Sequence, residues 1–224
     1  MITFAIGDLH GCAAQLTALL DQCYRFADGK PHKFIFLGNY IDQGLDSQSV
    51  VQTLMDLQAA DPDRVIALSG SHEDLLVDAR SSEGMARWLV QGGSATLRSY
   101  GVTSPKGIPV DHRAWLANLP LTHDDGQRLF VHAGIRPGIP LADQTRDNLL
   151  TIGKDFIGSI TDHGRLIVHG LTRRRDGRPE SLPNRVNLHT GAGSGGPLTA
   201  AVFVESKRMP VKYFQAGPSE PSPA

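Results

Sequence analysis

Five short motifs place glycine beside Asp, His or Asn side chains directly after apolar runs. The clearest is segment 38–44, which follows the apolar run 34–37 and contains Asn39 and Asp42 between two glycines. Glycine at the end of a strand lets the chain turn and present polar side chains. The other motifs are Gly7-Asp8-Leu9-His10-Gly11, Gly70-Ser71-His72-Glu73-Asp74, His132-Ala133-Gly134 and His169-Gly170-Leu171-Thr172. We therefore predict that five strand ends bring these polar residues together at one edge of a sheet.

Hydrophobic periodicity predicts the elements that position these motifs. Helix 12–26 is the clearest of them, because Leu16, Leu19, Leu20 and Cys23 share one face. The predicted strands are 2–6, 33–37, 64–68, 127–132, 165–169, 185–190, 199–205 and 211–215. The other predicted helical regions are 46–60, a region after the loop 71–73 that runs through Trp88 to about Tyr100, a short helix with Asp111 as its N-cap, and 145–158.

This order of elements predicts an α/β fold in which two β-sheets pack face to face with helices outside. The 224 residues can bury a sizeable core, and we expect one domain over residues 1–215. Residues 216–224 are rich in Pro and Ser and are expected to form a disordered tail.

Composition narrows the possible functions. The formal net charge is −1, so no nucleic-acid partner is expected. No apolar run has the length of a membrane span, and the first motif begins too early for a signal peptide. Cys12 and Cys23 fall on one predicted helix, which disfavours a disulfide or a cysteine zinc site. These features favour a cytoplasmic protein with no membrane partner.

The five motifs resemble, in order, the GDxHG, GDxxDRG, GNHE, HAG and HGHT motifs of PPP-type serine/threonine phosphatases. The compact bacterial and phage members of that group, within the calcineurin-like metallophosphoesterases, are the most similar. Segments 88–101 and 185–192 also resemble them, so the resemblance extends from Ile2 to about Phe214. It implies a metallophosphoesterase fold with two packed mixed β-sheets flanked by helices, and hydrolysis of phosphomonoesters.

The resemblance implies a pair of divalent metals about 3.5–4 Å apart. Asp8 and His10 match the ligands of the first metal, whereas Asn39 replaces the bridging carboxylate. The positions that correspond to the second metal site are Ser71, His132 and Leu171. Of these only His132 is an ordinary ligand, so a two-metal centre is not expected. One weakly held divalent ion (Mn, Fe or Zn) on Asp8, His10, Asn39 and His132 remains compatible with the sequence.

The resemblance also implies a catalytic acid, His72, with Asp42 as its partner, and both are present. The phosphate-binding arginine of the second motif is instead Gln43. A second family arginine corresponds to Gly153. Neither residue can replace the bidentate, charged hydrogen bonds of arginine.

Two further features leave alternatives open. His169 and His189 are either structural or substitutes for the ligand missing at Leu171. His189 stands where the family has an Asp. The basic cluster, which we define as Arg173, Arg174, Arg175 and Arg178, is either a solvated loop surface or a source of phosphate contacts.

Two hypotheses follow. The first, which the substitutions favour, is a weak or inactive pseudophosphatase that binds a phosphorylated protein, a nucleotide or another protein. The second is an active phosphomonoester hydrolase with a rearranged or single-metal site that acts on a phosphorylated protein or small phosphoester.

Overall fold

The computed structural model describes residues 1–217. Its strands are β1 (Ile2–Ile6), β2 (His32–Phe36), β3 (Val65–Ala67), β4 (Thr122–Asp124), β5 (Arg128–Val131), β6 (Leu166–His169), β7 (Glu180–Leu182), β8 (Arg185–Asn187), β9 (Leu198–Val204) and β10 (Lys212–Ala216). Its α-helices are α1 (Ala13–Ala27), α2 (Ser47–Ala60), α3 (Ser71–Asp78), α4 (Ser82–Trp88), α5 (Ser94–Ser99), α6 (Val110–Ala117), α7 (Arg146–Thr151) and α8 (Lys154–Ile157). A π-helical segment, Leu89–Gly93, joins α4 to α5.

The strands form two mixed sheets of five. The first sheet has the order β10-β9-β1-β2-β3, and the second has the order β4-β5-β6-β8-β7. In the first sheet β1, β2 and β3 run parallel, and in the second β5, β6 and β8 do so. The remaining strands pair antiparallel at the flanks.

Alternation of side chains along the strands explains the layers. On β1, Ala5 belongs to the apolar cluster shared by both sheets, which includes Leu37, Phe130 and Val168. Phe4 and Ile6 instead belong to a cluster with the apolar side chains of α1 and α2. A third cluster covers the other face of the second sheet with α7 and α8. The predicted α/β fold of two packed mixed sheets flanked by helices is confirmed.

Several local predictions differ from the structure. Residue Asp111 is not an N-cap, because α6 begins at Val110 after Pro109. Helix 145–158 is divided at Ile152 and Gly153, where the backbone leaves the helical conformation. Strands β4 and β7 were not predicted, because their sequences, Thr-His-Asp and Glu-Ser-Leu, are mostly polar and none of their residues is buried.

The C-terminal boundary also differs. Ala216, which the sequence analysis assigned to the tail, is the last residue of β10 and is buried. Residues 218–224 lie outside the described part of the chain, so the disordered tail stays a prediction.

No helix within residues 1–217 combines the length and the apolar character needed to cross a membrane.

Candidate active site

The five motifs meet at the carboxyl ends of neighbouring parallel strands. Three follow β1, β2 and β3 of the first sheet, and two follow β5 and β6 of the second. The prediction of a single sheet edge was therefore wrong, because the polar group lies where the edges of two packed sheets adjoin. Strand pairing between distant segments decides this, and local sequence patterns do not contain it.

The backbone of these loops is held in an unusual conformation. Among residues 1–217, six non-glycine residues have positive φ, and five of them belong to the motifs: His10, Asn39, Asp42, Gln43 and Leu171. Left-handed backbone at non-glycine residues costs on the order of 1–3 kcal/mol each and clusters at functional sites. The fold therefore holds these loops in positions that the isolated chain would disfavour.

Asp8, His10 and His189 converge into one buried group. Each offers a ligand atom, and these atoms lie within 4.8 Å of one another. His10 Nε2 is 3.9 Å from Asp8 Oδ2, and His189 Nδ1 is 3.5 Å from Asp8 Oδ1. His189 reaches the group from the loop after β8. Asn187, the last residue of β8, accepts the His189 backbone N–H with its Oδ1 at 2.9 Å. His189 thus lies with the two ligands of the first site.

The protonation states of Asp8 and His10 suit metal binding. Burial and the neighbouring His72 lower the pKa of His10 to about 3, so its imidazole is neutral at neutral pH. Burial raises the pKa of Asp8, but the nearby imidazoles of His189, His132 and His10 outweigh it and the net pKa is lowered. A carboxylate and a neutral imidazole are the forms that ligate divalent metals.

The group fits one divalent cation. One carboxylate and two imidazoles are an ordinary donor set for zinc and similar ions. His189 Nδ1 is buried and has no hydrogen-bond partner among residues 1–217. His10 Nδ1 lies 3.2 Å from the Ile41 carbonyl, which fixes the tautomer and leaves Nε2 as the acceptor. A bound metal would give the buried, unpaired His189 Nδ1 a partner beside the Asp8 carboxylate.

The residues at the second metal position do not fit a metal. Asn39 donates its Nδ2–H to Asp8 Oδ2 at 2.9 Å, so an N–H occupies the edge where a bridging carboxylate would stand. Ser71 Oγ lies 3.3 Å from both Asn39 Oδ1 and His132 Nε2. Burial lowers the pKa of His132, whose Nδ1 lies 2.8 Å from the Leu37 carbonyl. Hydrogen bonds within the protein therefore replace the second set of ligands.

Leu171 and His169 do not join the group through their side chains. The Leu171 backbone N–H donates to Asp8 Oδ1 at 3.3 Å, while its side chain packs with the apolar cluster of α7 and α8. His169 packs edge-on against Phe156, with 5.0 Å between ring centroids, and burial lowers its pKa to about 3. Of the two substitute ligands considered from sequence, His189 is the one near Asp8.

His72 and Asp42 form a buried pair beside the metal group. His72 Nδ1 is 2.8 Å from Asp42 Oδ2, and the His72 ring meets the His10 ring edge-on at 4.7 Å between centroids. Burial lowers the pKa of His72, but the hydrogen bond and charge of Asp42 outweigh it and the net pKa is raised. Because Asp42 engages Nδ1, Nε2 is the atom available to a ligand.

Asp42 is itself held by two side chains whose roles the sequence did not reveal. Trp88 Nε1–H lies 2.9 Å from Oδ2 and 3.1 Å from Oδ1, and Thr96 Oγ1 donates to Oδ1 at 2.6 Å. Thr96 Oγ1 also accepts the Asp42 backbone N–H at 2.9 Å. Trp88 and Thr96 both belong to segment 88–101. The similarity of this segment to bacterial phosphatases was therefore the sequence signal that could have indicated their role.

Glu73 is the other residue that sequence reasoning missed. Its carboxylate is fully buried and accepts backbone N–H groups from Asn39, Tyr40 and Gly70, each at 2.8 Å. It thereby ties the loop after β2 to the start of α3, which carries His72. The final Glu of the GNHE-like motif was the only sequence signal.

No arginine stands at the two positions where the resemblance implies one, Gln43 and Gly153. Gln43 is exposed, and its Oε1 would lie 2.9 Å from a Cβ on Gly193. A Cβ on Gly153 would meet nothing within 4 Å. Neither residue supplies positive charge to the group around Asp8.

The sequence matches the calcineurin-like phosphoesterase family over residues 1–194. The chain belongs to this family. The metallophosphoesterase part of the sequence-based prediction is therefore confirmed, and membership implies the use of divalent metal.

Two curated relatives of this calcineurin-like phosphoesterase are named as bis(5'-nucleosyl)-tetraphosphatases. A symmetrical bis(5'-nucleosyl)-tetraphosphatase of Nitrosomonas europaea is 28% identical over 206 residues, covering 82% of this chain and 71% of the relative. An asymmetrical bis(5'-nucleosyl)-tetraphosphatase, PrpE, of Anoxybacillus flavithermus is 27% identical over 236 residues, covering 94% of each chain. A crystal structure provisionally named a diadenosine tetraphosphatase superposes with a TM-score of 0.68 at 20% identity, covering 96% of this chain and 93% of that one. That superposition supports the fold alone.

Proposed function

We propose that this protein is a single-metal, PPP-like phosphoesterase that hydrolyses nucleotide polyphosphates. The observation that carries the proposal is the convergence of Asp8, His10 and His189 next to the His72–Asp42 pair. The three convergent side chains provide a place for one cation, and the His72–Asp42 pair provides a proton donor. The two lie close enough to act on one phosphate group.

Asp8, His10 and His189 would hold the metal. A divalent cation bound there would neutralise charge on the phosphoryl oxygens and lower the pKa of a water molecule. Asn39 and the Leu171 backbone N–H orient the Asp8 carboxylate through hydrogen bonds of 2.9 and 3.3 Å. Such outer contacts fix the direction of the ligand oxygens.

His72 would act as the general acid. Its Nδ1–H donates to Asp42 Oδ2, and its raised pKa favours the imidazolium form, which carries a second proton on Nε2. That proton can pass to the oxygen of the leaving group as its bond to phosphorus breaks, while the oxygen of a water molecule forms the new bond to phosphorus and the proton of that water goes to solvent. Asp42 stabilises the charged ring without itself accepting the transferred proton, and Trp88 and Thr96 hold Asp42 in place.

The expected rate is low. A missing second metal removes several kcal/mol of charge stabilisation, and a missing arginine costs on the order of a thousandfold or more. Substrates whose leaving group is itself a phosphate depend less on charge stabilisation by a second metal or an arginine, because such a leaving group is already a weak base. Nucleotide polyphosphates have such leaving groups, and the names of the two relatives support this class over phosphoserine or phosphothreonine.

The direct test is hydrolysis of diadenosine tetraphosphate by manganese-loaded protein, with products separated by anion-exchange chromatography. Two ADP indicate symmetrical cleavage, and ATP with AMP indicates asymmetrical cleavage. Asp8→Asn should abolish turnover, and the matched variant Asp63→Asn, at an exposed position, should not. Equal turnover by wild type and Asp8→Asn would refute the proposal, as would no turnover by well-folded, metal-loaded protein.

A second candidate function is a pseudophosphatase that binds a phosphorylated protein or nucleotide. The hydrogen-bonded group of Asn39, Ser71 and His132 favours it, because these side chains satisfy one another without a second cation. The same assay separates the candidates. A protein that binds diadenosine tetraphosphate but leaves it intact would support the second function and overturn the first.

A further inference from the structure

Arg173 lies against the loop that carries His189. A Cβ placed on Gly191 would stand 2.9 Å from Arg173 Nε and 3.6 Å from its Cζ. The guanidinium stem therefore crosses directly over this glycine, which has a φ of +96°. A side chain at position 191 would displace it.

The other side of the same loop faces the candidate metal group. A Cβ on Gly193 would lie 2.5 Å from His10 Cβ and 2.9 Å from Gln43 Oε1. Segment 191–193 is thus contacted by Arg173 at one end and by His10 and Gln43 at the other. Segment 191–193 therefore separates Arg173 from Gln43, the position at which the resemblance to PPP-type phosphatases implies an arginine.

The backbone on both sides of Arg173 is fixed. Asn187 Nδ2 donates to the Thr172 carbonyl at 2.7 Å, and the Arg174 N–H donates to the His189 carbonyl at 2.8 Å. The partners on the far side of these two bonds are Asn187, the last residue of β8, and His189, in the loop after it. Arg173 is therefore anchored to the segment that positions His189.

Charge distinguishes Arg173 from its neighbour. The Arg174 guanidinium is paired with Glu180 at 2.9 Å and with Asp176 at 3.1 Å. Within residues 1–217, Arg173 makes no ion pair, and its side chain is exposed. An uncompensated guanidinium that extends from an anchored backbone beside a phosphate site is suited to bind a second anion.

We propose that Arg173 forms a subsite for a phosphate group adjacent to the one that reacts beside His10. Segment 191–193 separates Arg173 from His10, so Arg173 is placed to bind the next phosphate along a polyphosphate chain. The subsite selects polyphosphates over monophosphates. This substrate class rests on the proposed function, whereas the subsite itself is a property of the loop.

The first test measures binding without turnover. Inorganic triphosphate and orthophosphate are titrated into the full chain in the presence of a chelator, at low ionic strength, by calorimetry. Arg173→Ala should weaken triphosphate binding about tenfold or more, as expected for a charge-assisted contact. Orthophosphate binding should change much less. Arg175→Ala, at an exposed position of the same basic cluster, is the matched control and should bind like wild type.

Arg173→Lys separates the guanidinium fork from the charge. It retains the charge but loses bidentate geometry, so its triphosphate affinity should lie between those of wild type and Arg173→Ala. Equal triphosphate affinity for wild type and Arg173→Ala overturns the subsite, and so does an absence of triphosphate binding by wild type.

Kinetics distinguish failure of the subsite from failure of the proposed function. If the protein hydrolyses diadenosine tetraphosphate, Arg173→Ala should raise KM for it and leave KM for p-nitrophenyl phosphate unchanged. Unchanged KM for both substrates overturns the subsite and keeps the function. Conversely, Arg173-dependent triphosphate binding by a protein without turnover supports the subsite and refutes the function.

Discussion

Asn39 donates its side-chain N–H to Asp8 Oδ2 over 2.9 Å, and both side chains are almost fully buried. This bond stands at the position where the resemblance to PPP-type phosphatases implies a carboxylate that bridges two cations. It lets Asp8 remain ionised without a second metal, because an amide N–H supplies part of the compensation. The substitution at position 39 is therefore structurally consistent with a single-metal site.

The first prediction concerns this bond. Asn39→Asp replaces an N–H donor by a second buried carboxylate, so the free energy of unfolding in chelator should fall by about 1–3 kcal/mol. Excess manganese should restore more stability to this variant than to wild type. Urea denaturation with and without manganese measures both effects.

The control is Gln91→Glu, which makes the same amide-to-carboxylate change at an exposed position. It should shift stability by less than about 0.5 kcal/mol. An Asn39→Asp variant as stable as wild type in chelator would show that the amide does not compensate Asp8.

A second prediction concerns Glu73. Glu73→Gln leaves one carbonyl oxygen and an NH₂ group where two carboxylate oxygens accept three backbone N–H groups. At least one buried donor then loses its partner, at a cost of about 1–3 kcal/mol. Asp74→Asn, which breaks the ion pair with Arg146 near the surface, should cost less than about 1 kcal/mol. Equal costs in urea denaturation would contradict this role of Glu73.

A third prediction uses the close approach of Gly170 to Asp8. A Cβ on Gly170 would lie 2.1 Å from Asp8 Oδ1, so Gly170→Ala must displace the carboxylate. Manganese affinity should fall about tenfold or more, as when a contact that orients a ligand is lost. Gly153→Ala, where a Cβ meets nothing within 4 Å, is the matched control. Isothermal titration with manganese on both variants decides the matter, and equal affinities would exclude this steric effect.

A fourth prediction reverses the four substitutions. The variant Asn39→Asp, Gln43→Arg, Ser71→Asn and Leu171→His should bind two manganese ions and hydrolyse p-nitrophenyl phosphate on the order of a thousandfold faster than wild type. Omitting Leu171→His should leave the second ion weakly held. A folded, metal-loaded but inert quadruple variant would defeat the explanation of the low rate.

The sequence predicted most of the fold because the decisive signals are local. Helix α1 was found from the spacing of Leu16, Leu19, Leu20 and Cys23, which are all buried. Strands β4 and β7 were missed because their residues are mostly polar and none is buried. The division of the motifs between two sheets depends on long-range pairing, which local patterns do not record.

Only part of the candidate site could be predicted from the sequence. The pairing of His72 with Asp42 followed from motif resemblance, and the structure brings them to 2.8 Å. His189 could be named as a substitute ligand, but its approach to Asp8 depends on how β8 and its loop are placed. Trp88 holds Asp42 from 46 positions away along the chain, and no local pattern indicates that contact.

Metal stoichiometry tests the central claim most directly. Protein purified without chelator is dialysed against excess manganese and then washed, and metal per chain is measured by elemental analysis for wild type and His189→Ala. The single-metal site predicts one ion per wild-type chain and substantially less than one in the variant. Two tightly held ions in wild type, no ion at all, or an unchanged ion in His189→Ala would contradict it.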